Sequence, residues 1–370
     1  MSDNERDYAL IETGNQARIP APDLCYLPVD PASYRPAIGL IGCGGITEYH
    51  LRSYRSAGYN VVALCNRTEG KARSRQQEFY PEAAIYTDYR QLLKRDDIEV
   101  VDVATHPPER VRILEDAIDA GKHVLSQKPF VTDLDVGEQL IERAGRRGVR
   151  LAINQNGRWA PHFSYLRQAI AAGLIGDVVS VHCSTHWNHD WIADTPLNDL
   201  ANMIFFDFGI HWFDMLGCFS GTKQPQSVYA TLTRSPTQRA RDPLFGQALV
   251  QYKDVQASLI FDGAVSFGPQ HRTYVAGTHG TLLSRGPGIT EQSVTLSTES
   301  GIATPPLTGS WFAQGFHGAM AELLCAIAEN REPTHSARDN LRALELCFAA
   351  VASVRRGEPL QPGSVRQLLP

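Results

Sequence analysis

No stretch of this 370-residue chain approaches the ~18–20 consecutive apolar residues that a membrane-spanning helix needs. Cysteine is sparse as well. The seven cysteines are scattered, odd in number and mostly set in apolar segments, and none forms a C-x-x-C pair. That excludes a disulfide frame and points to reduced thiols. No zinc-ligand spacing occurs. His182, His186 and His189 cluster in "VHCSTHWNHDW", but no set of acidic or cysteine partners stands at a metal spacing, so no metal is expected. Charge of one sign is also missing. The net charge is −5, and no basic stripe interleaved with aromatics suggests nucleic acid. The opening "MSDNERDYALIETGN" is polar and acidic, unlike a secretory signal. The expectation is a cytoplasmic protein whose partner is neither membrane nor nucleic acid.

What is present is a chain long enough for two domains. Hydrophobic residues make up 43% and charged residues 20%, the balance of an ordinary globular protein. Residues 1–36 carry Pro20, Pro22, Pro28, Pro31 and Pro36 without periodicity and read as an extended arm. From Ala37, short apolar runs alternate with helical patterns: "AIGLIG", "VVALCN", "VVDVAT", "HVLSQ" and "VRLAIN" as strands, with amphipathic segments between them. Such alternation predicts a doubly wound parallel sheet over 37–156. Beyond it, over 157–370, strand-like runs joined by short turns such as "KDVQ" predict an α+β domain with a large, mostly antiparallel open sheet and two closing helices.

Four segments carry chemistry. "GLIGCGGIT" places Gly42, Gly44 and Gly45, followed by Ile46, between the first strand and the first helix. A tight turn there lets the backbone approach a pyrophosphate at a helix N-terminus. Thr47 stands where a third small residue is usual, which predicts slightly looser helix–sheet packing. The second strand ends in Asn66 and Arg67 rather than an acidic residue. Neutral asparagine does not repel a 2′-phosphate and guanidinium binds one, which leans the cofactor toward NADP. The other reading has Asn66 on the ribose and Arg67 stacked on adenine. "HVLSQKPF" ends a parallel strand at Gln127 and Lys128, where open sheets bind ligands. The Lys128 ammonium suits a substrate hydroxyl whose oxygen gains charge. "DFGIHWFD" brackets His211 with Asp207 and Asp214 in an apolar window. On an α-helix Asp207 and His211 share a face. That trio is either a histidine satisfied inside a core helix or a chemical site.

With these signals in order, the chain resembles the glucose–fructose oxidoreductase/inositol dehydrogenase (Gfo/Idh/MocA) family over roughly residues 37–360. The resemblance rests on "GLIGCGGIT", "VVDVATHPPERVRILEDAIDAGKHVLSQKP", "GLIGDVVSV" and the D-x-x-x-H-x-x-D pattern of "DFGIHWFD". It implies an NAD(P)-dependent oxidoreductase acting on one secondary hydroxyl of a sugar, cyclitol or glycoside, working as a homodimer or homotetramer. It also implies that Lys128, Asp207 and His211 are catalytic, with Asp207 orienting the imidazole that takes the hydroxyl proton and Asp214 a structural partner. The family's E-K-P is Gln127-Lys128-Pro129 here, and its T-P-N-x-x-H is Thr105-His106-Pro107-Pro108-Glu109-Arg110. Thr105, His106, Gln127 and Asn154 join the expected cofactor contacts. Arg158 and Trp159, after the last strand of the first half, and His189 and Asp190, between Trp187 and Trp191, are expected at the substrate. Two other activities fit the same residues: glycoside cleavage through transient oxidation with the cofactor recycled, and a sensor that binds nucleotide and sugar without turnover.

Overall fold

The computed structural model describes residues 16–368. Its first sheet contains β1 (Ala37–Ile41), β2 (Asn60–Cys65), β3 (Ala84–Tyr86), β4 (Ile98–Val103), β5 (His123–Gln127) and β6 (Leu151–Asn154). They lie in the order β3-β2-β1-β4-β5-β6, all parallel. Between them run α1 (Thr47–Ser56), α2 (Glu69–Phe79), α3 (Tyr89–Leu93), α4 (Pro107–Asp119) and α5 (Leu134–Arg147). The strands are nearly all-apolar because helices cover both faces. Proline opens α4, where no amide donor is needed. Strand order reverses between β1 and β4, which opens a crevice at their carboxyl ends.

After α6 (Pro161–Ala171), the second sheet contains β7 (Val178–His186), β8 (Pro225–Thr233), β9 (Phe245–Tyr252), β10 (Gln256–Asp262), β11 (Gln270–Gly277), β12 (Gly280–Gly286), β13 (Ser293–Thr298) and β14 (Gly301–Ala303). The order is β14-β13-β12-β11-β7-β10-β9-β8, antiparallel except for the β7–β10 pair. Burial alternates along these strands, so one face packs on α6, α7 (Ile210–Ser220) and α9 (Ala337–Arg356) while the other faces solvent. Val179, Tyr229 and Leu249 stand exposed on this sheet.

The other closing helix, α8 (Trp311–Ala328), returns to the first half. Its Ala319, Met320, Leu323 and Leu324 share a buried cluster with Leu40, Leu51, Tyr54, Val100 and Leu125 of the parallel sheet and α1. Residues 16–36 run extended across both halves. Ile19 N–H donates to the Ile302 carbonyl at 3.0 Å, and Tyr165 Oη donates to the Pro22 carbonyl at 3.1 Å. Asp30 accepts from the Tyr59 hydroxyl and meets His317 at 3.0 Å. Ile19, Leu24 and Tyr26 pack on the main core. Among the described residues, no helix is long and apolar enough to cross a membrane. All seven cysteines are free.

Candidate active site

The turn after β1 is shaped by close approach. Gly42 has φ +99°, and a Cβ there would lie 2.8 Å from the Ala104 carbonyl oxygen. Only glycine tolerates both conditions. At Gly44 and Gly45 a Cβ would meet nothing within 4 Å, so the protein's own atoms leave that side of the turn open. Thr47 is fully buried and donates to the Gly44 carbonyl at 2.6 Å. The bulkier residue therefore ties the turn to the first turn of α1 instead of loosening it. Asn66 is spoken for: its Oδ1 accepts from Cys43 N–H at 3.1 Å and its Nδ2 donates to the Thr68 carbonyl at 3.0 Å. Arg67 is 84% exposed and pairs with Glu109 at 3.0 Å. These residues line a cleft of about 520 Å³ together with Gly42, Gly44, Lys71, Thr105, His106 and Arg112.

Lys128 follows β5, the strand that pairs with β4. Its Nζ donates to the Asp207 carbonyl at 2.8 Å and meets Asp207 Oδ1 at 3.3 Å. The loop bearing Lys128 is braced from two sides. Gln127 Oε1 accepts the Lys128 N–H at 2.7 Å, while its Nε2 lies 3.1 Å from His50 Nε2. His50 Nδ1 is 2.6 Å from Asp102 Oδ2, which also accepts from Tyr54 at 2.7 Å. On the other side the buried Arg110 guanidinium donates to the carbonyls of Thr105, Gln127 and Pro129. Burial pulls Arg110 down to about 9, with Asp207 and Asp102 opposing, so it stays charged at neutral pH.

The 207–214 segment is not one continuous α-helix. Residues 203–208 form a wide turn with Gly209 N–H donating to the Ile204 carbonyl at 2.9 Å, and α7 starts only at Ile210. A Cβ at Gly209 would sit 2.7 Å from that carbonyl oxygen. Such wide turns displace the residues around them from helical register. The expected Asp207–His211 hydrogen bond is accordingly not made: the Asp207 carboxylate serves Lys128, and His211 Nδ1 is buried without a protein partner. Burial, with Lys128 nearby, holds His211 well below the usual histidine range, so the ring is neutral.

Three other expected contacts differ. Arg158 is buried and turned away from the crevice: Nε and Nη2 chelate Asp214 at 2.7 and 2.5 Å, Nη2 also meets Asp339 at 2.5 Å, and Nη1 donates to the Thr334 carbonyl. Buried guanidinium demands such full pairing, so Arg158 is not free for substrate. Trp159 packs edge-on against His335 at 5.0 Å and under Arg167. The Asp190 carboxylate caps the backbone N–H groups of Arg239 and Ala240. His189, by contrast, feels the charges of Asp207 and Lys128, and its ring lies 5.2 Å from Phe208. Trp187, Phe208 and Trp212 stack in a row beside it, with centroids 4.0 and 4.8 Å apart.

The site fits a dinucleotide. The open glycine turn faces the cleft, and Thr105 Oγ1 and both amide atoms of Asn154 are buried without protein partners at strand ends beside Lys128. Buried polar atoms rarely stay unpaired, so these await a ligand. His50, Asp102 and Arg110 escaped the sequence reading. Asp102 inside the apolar "EVVDVAT" was the available signal, since a lone carboxylate in a two-sided strand needs partners.

Comparison with known proteins agrees. Residues 37–155 match the model described as oxidoreductase family, NAD-binding Rossmann fold, and residues 163–283 match the GFO/IDH/MocA C-terminal domain. D-apiose dehydrogenase of Paraburkholderia graminis is 27% identical over 90% of this chain and 91% of its own. Inositol 2-dehydrogenase of Burkholderia multivorans is 31% identical over 56% of this chain and 61% of its own. The crystal structure of scyllo-inositol dehydrogenase from Lactobacillus casei, with bound NAD(H) and scyllo-inositol, shares the fold at TM-score 0.76 and 21% identity, covering 90% of this chain and all of that one. The open glycine turn, the braced lysine and both matched domains lead to one conclusion: the chain belongs to the Gfo/Idh/MocA family of oxidoreductases with an NAD-binding Rossmann fold.

Proposed function

We propose that this enzyme oxidises one secondary hydroxyl of a ring-shaped polyol, a sugar, cyclitol or glycoside, with Lys128, Asp207 and His211 as its working groups. The observation that carries this reading is Lys128 Nζ, held by Asp207 at 2.8 and 3.3 Å at the end of β5, on the same edge of the sheet as the glycine turn. Bound NAD(P)+ supplies the hydride acceptor. Lys128 donates to the hydroxyl oxygen and stabilises the charge that gathers there. Neutral His211 takes the proton as the C–H bond breaks. Asp207 keeps the ammonium aimed, a role that replaces the expected one on His211. The aromatic row beside the site suits the apolar C–H faces of a sugar ring.

Residues 37–156 hold the dinucleotide on this reading, and 157–370 supply the substrate wall and the subunit contact. The exposed Val179, Tyr229 and Leu249 favour pairing of the open sheet face with a second copy. Arg67 and Lys71 beside the start of α2 favour NADP, a 2′-phosphate displacing Glu109 from Arg67. A panel of cyclitols, aldoses and glycosides, followed by nicotinamide absorbance with each cofactor, tests the reading. Turnover of a cyclic polyol supports it. Turnover only of acyclic hydroxy acids overturns it.

A further inference from the structure

His189 carries information that its position alone does not. Its Nδ1 is 3.0 Å from the indole Nε1 of Trp187. An indole nitrogen can only donate, so Nδ1 must be the acceptor and carry no proton. A neutral imidazole then has its single N–H on Nε2. Nε2 has no hydrogen-bond partner among the described residues. Trp187 is itself immobilised, stacked on Phe208 at 4.0 Å with an interplanar angle of 20°. Its carbonyl and amide are tied to Val265 N–H and the Asp262 carbonyl, and His189 N–H is tied to the Gly263 carbonyl. The donor and the ring that it orients therefore ride on one rigid edge, beside the residue that holds Lys128.

We propose that Trp187 is a positioning residue that fixes His189 in the Nε2–H tautomer, making it a dedicated hydrogen-bond donor to a second oxygen of the substrate. This rests on the polyol reading above. Lys128 then serves the oxygen that is oxidised, and His189 serves a neighbouring hydroxyl or ring oxygen that stays unchanged. Two donors on adjacent oxygens would fix which carbon faces the cofactor. A site built to donate to an oxygen discriminates strongly against an analogue that lacks it, because the donor is left unpaired.

The groups that bear on the protonation of His189 are Asp207 and Lys128 from the site and the Trp187 indole from its own strand end. Burial opposes protonation, and the Trp187 hydrogen bond holds the lone pair that a proton would need.

The test is a two-bond proton–nitrogen correlation spectrum of full-length enzyme labelled with ¹⁵N-histidine, with the His189 signals identified by their loss in His189→Ala. The wild type should show a neutral Nε2–H ring that does not titrate between about pH 8 and pH 5. Trp187→Phe keeps the stacking face and removes the donor. Its His189 should mix tautomers or titrate within that window. On the best substrate of the polyol panel, kcat/KM should fall roughly 10-fold or more, while NADH affinity stays within twofold. A deoxy analogue lacking the second oxygen should react about equally with both enzymes. A wild-type spectrum with the proton on Nδ1, or a charged ring at pH 6, overturns the proposal. So does a tautomer change in Trp187→Phe that leaves kcat/KM intact. Should no cyclic polyol be turned over while the spectrum shows the Nε2–H ring, it is the substrate reading that falls, and the donor role falls with it.

Discussion

Lys128 and Asp207 meet from segments about 80 residues apart in sequence, and the roles proposed for them and for His211 rest on the bonds that the wide turn at 203–208 permits. His211→Ala removes the neutral imidazole to which the proton transfer is assigned. Turnover should drop roughly 10²–10⁴-fold, with NADH binding by fluorescence titration almost unchanged; near-normal turnover would show that the proton goes elsewhere. Asp207→Asn keeps the backbone carbonyl on Lys128 and loses only the charge. It should cost roughly 10–100-fold and be milder than His211→Ala. The reverse ranking would return the main role to the carboxylate. At the outer end of the cleft, Arg67→Ala should weaken NADP by roughly 10–100-fold and spare NAD. Isothermal titration of both cofactors decides, since equal weakening would mean that the guanidinium stacks on adenine. The glycine turn and Lys128 were visible in the sequence because each sits at a fixed offset from an apolar strand, whereas the helical pairing expected of Asp207 with His211 is not made. It misled at Arg158 and Asp190. A charged residue among aromatics looks the same whether its partner is a sugar, a carboxylate 56 or 181 residues away as for Arg158, or backbone amides 49 and 50 residues away as for Asp190.

At the scale of elements, the parallel half was legible almost strand by strand, because burial on both faces writes continuous apolar runs. The second sheet was legible as alternation, but its parallel β7–β10 pair was not, since strand direction leaves no periodic trace. The helix expected over 207–214 failed for a local reason: Gly209 accommodates a carbonyl that any side chain would strike. The arm was readable as extended, and its described part, residues 16–36, binds its own chain through Ile19, Pro22, Tyr26 and Asp30. Residues 1–15 lie outside the described structure. Deleting residues 1–33 removes the core contacts of Ile19, Leu24 and Tyr26 and the polar ties to Ile302, Tyr165, Tyr59, His317 and Thr308. We expect a loss of about 2 kcal/mol or more, a fall of roughly 4 °C in the melting temperature by scanning calorimetry. An unchanged melting temperature and an unchanged mass by light scattering would show that the strap holds nothing.

The whole molecule stores several histidines in neutral form. Burial drives His162 and His335 to about 3 and His271 to about 4. Their folded values lie below the unfolded value of about 6.5, so the unfolded state binds more protons as pH falls, and stability is lost below that value. Each should cost about 1 kcal/mol between pH 7 and pH 5.5. Urea midpoints should therefore drop steeply across that window, and His335→Gln should flatten the drop. A profile with no slope there would mean that these rings are already charged in the fold.

The return of α8 to the parallel sheet has a consequence for how the chain is made. β6 ends at Asn154 and α8 begins at Trp311. At about 5–20 residues per second, synthesis needs roughly 8–30 s to cover that gap. Throughout it, the face of the nascent Rossmann half that later receives Met320, Leu323 and Leu324 has no cover. The nucleotide-binding half emerges first from the ribosome but completes its core nearly last, so the growing chain carries an adhesive apolar surface for a large share of its translation and is a natural client for a chaperone that holds nascent polypeptides.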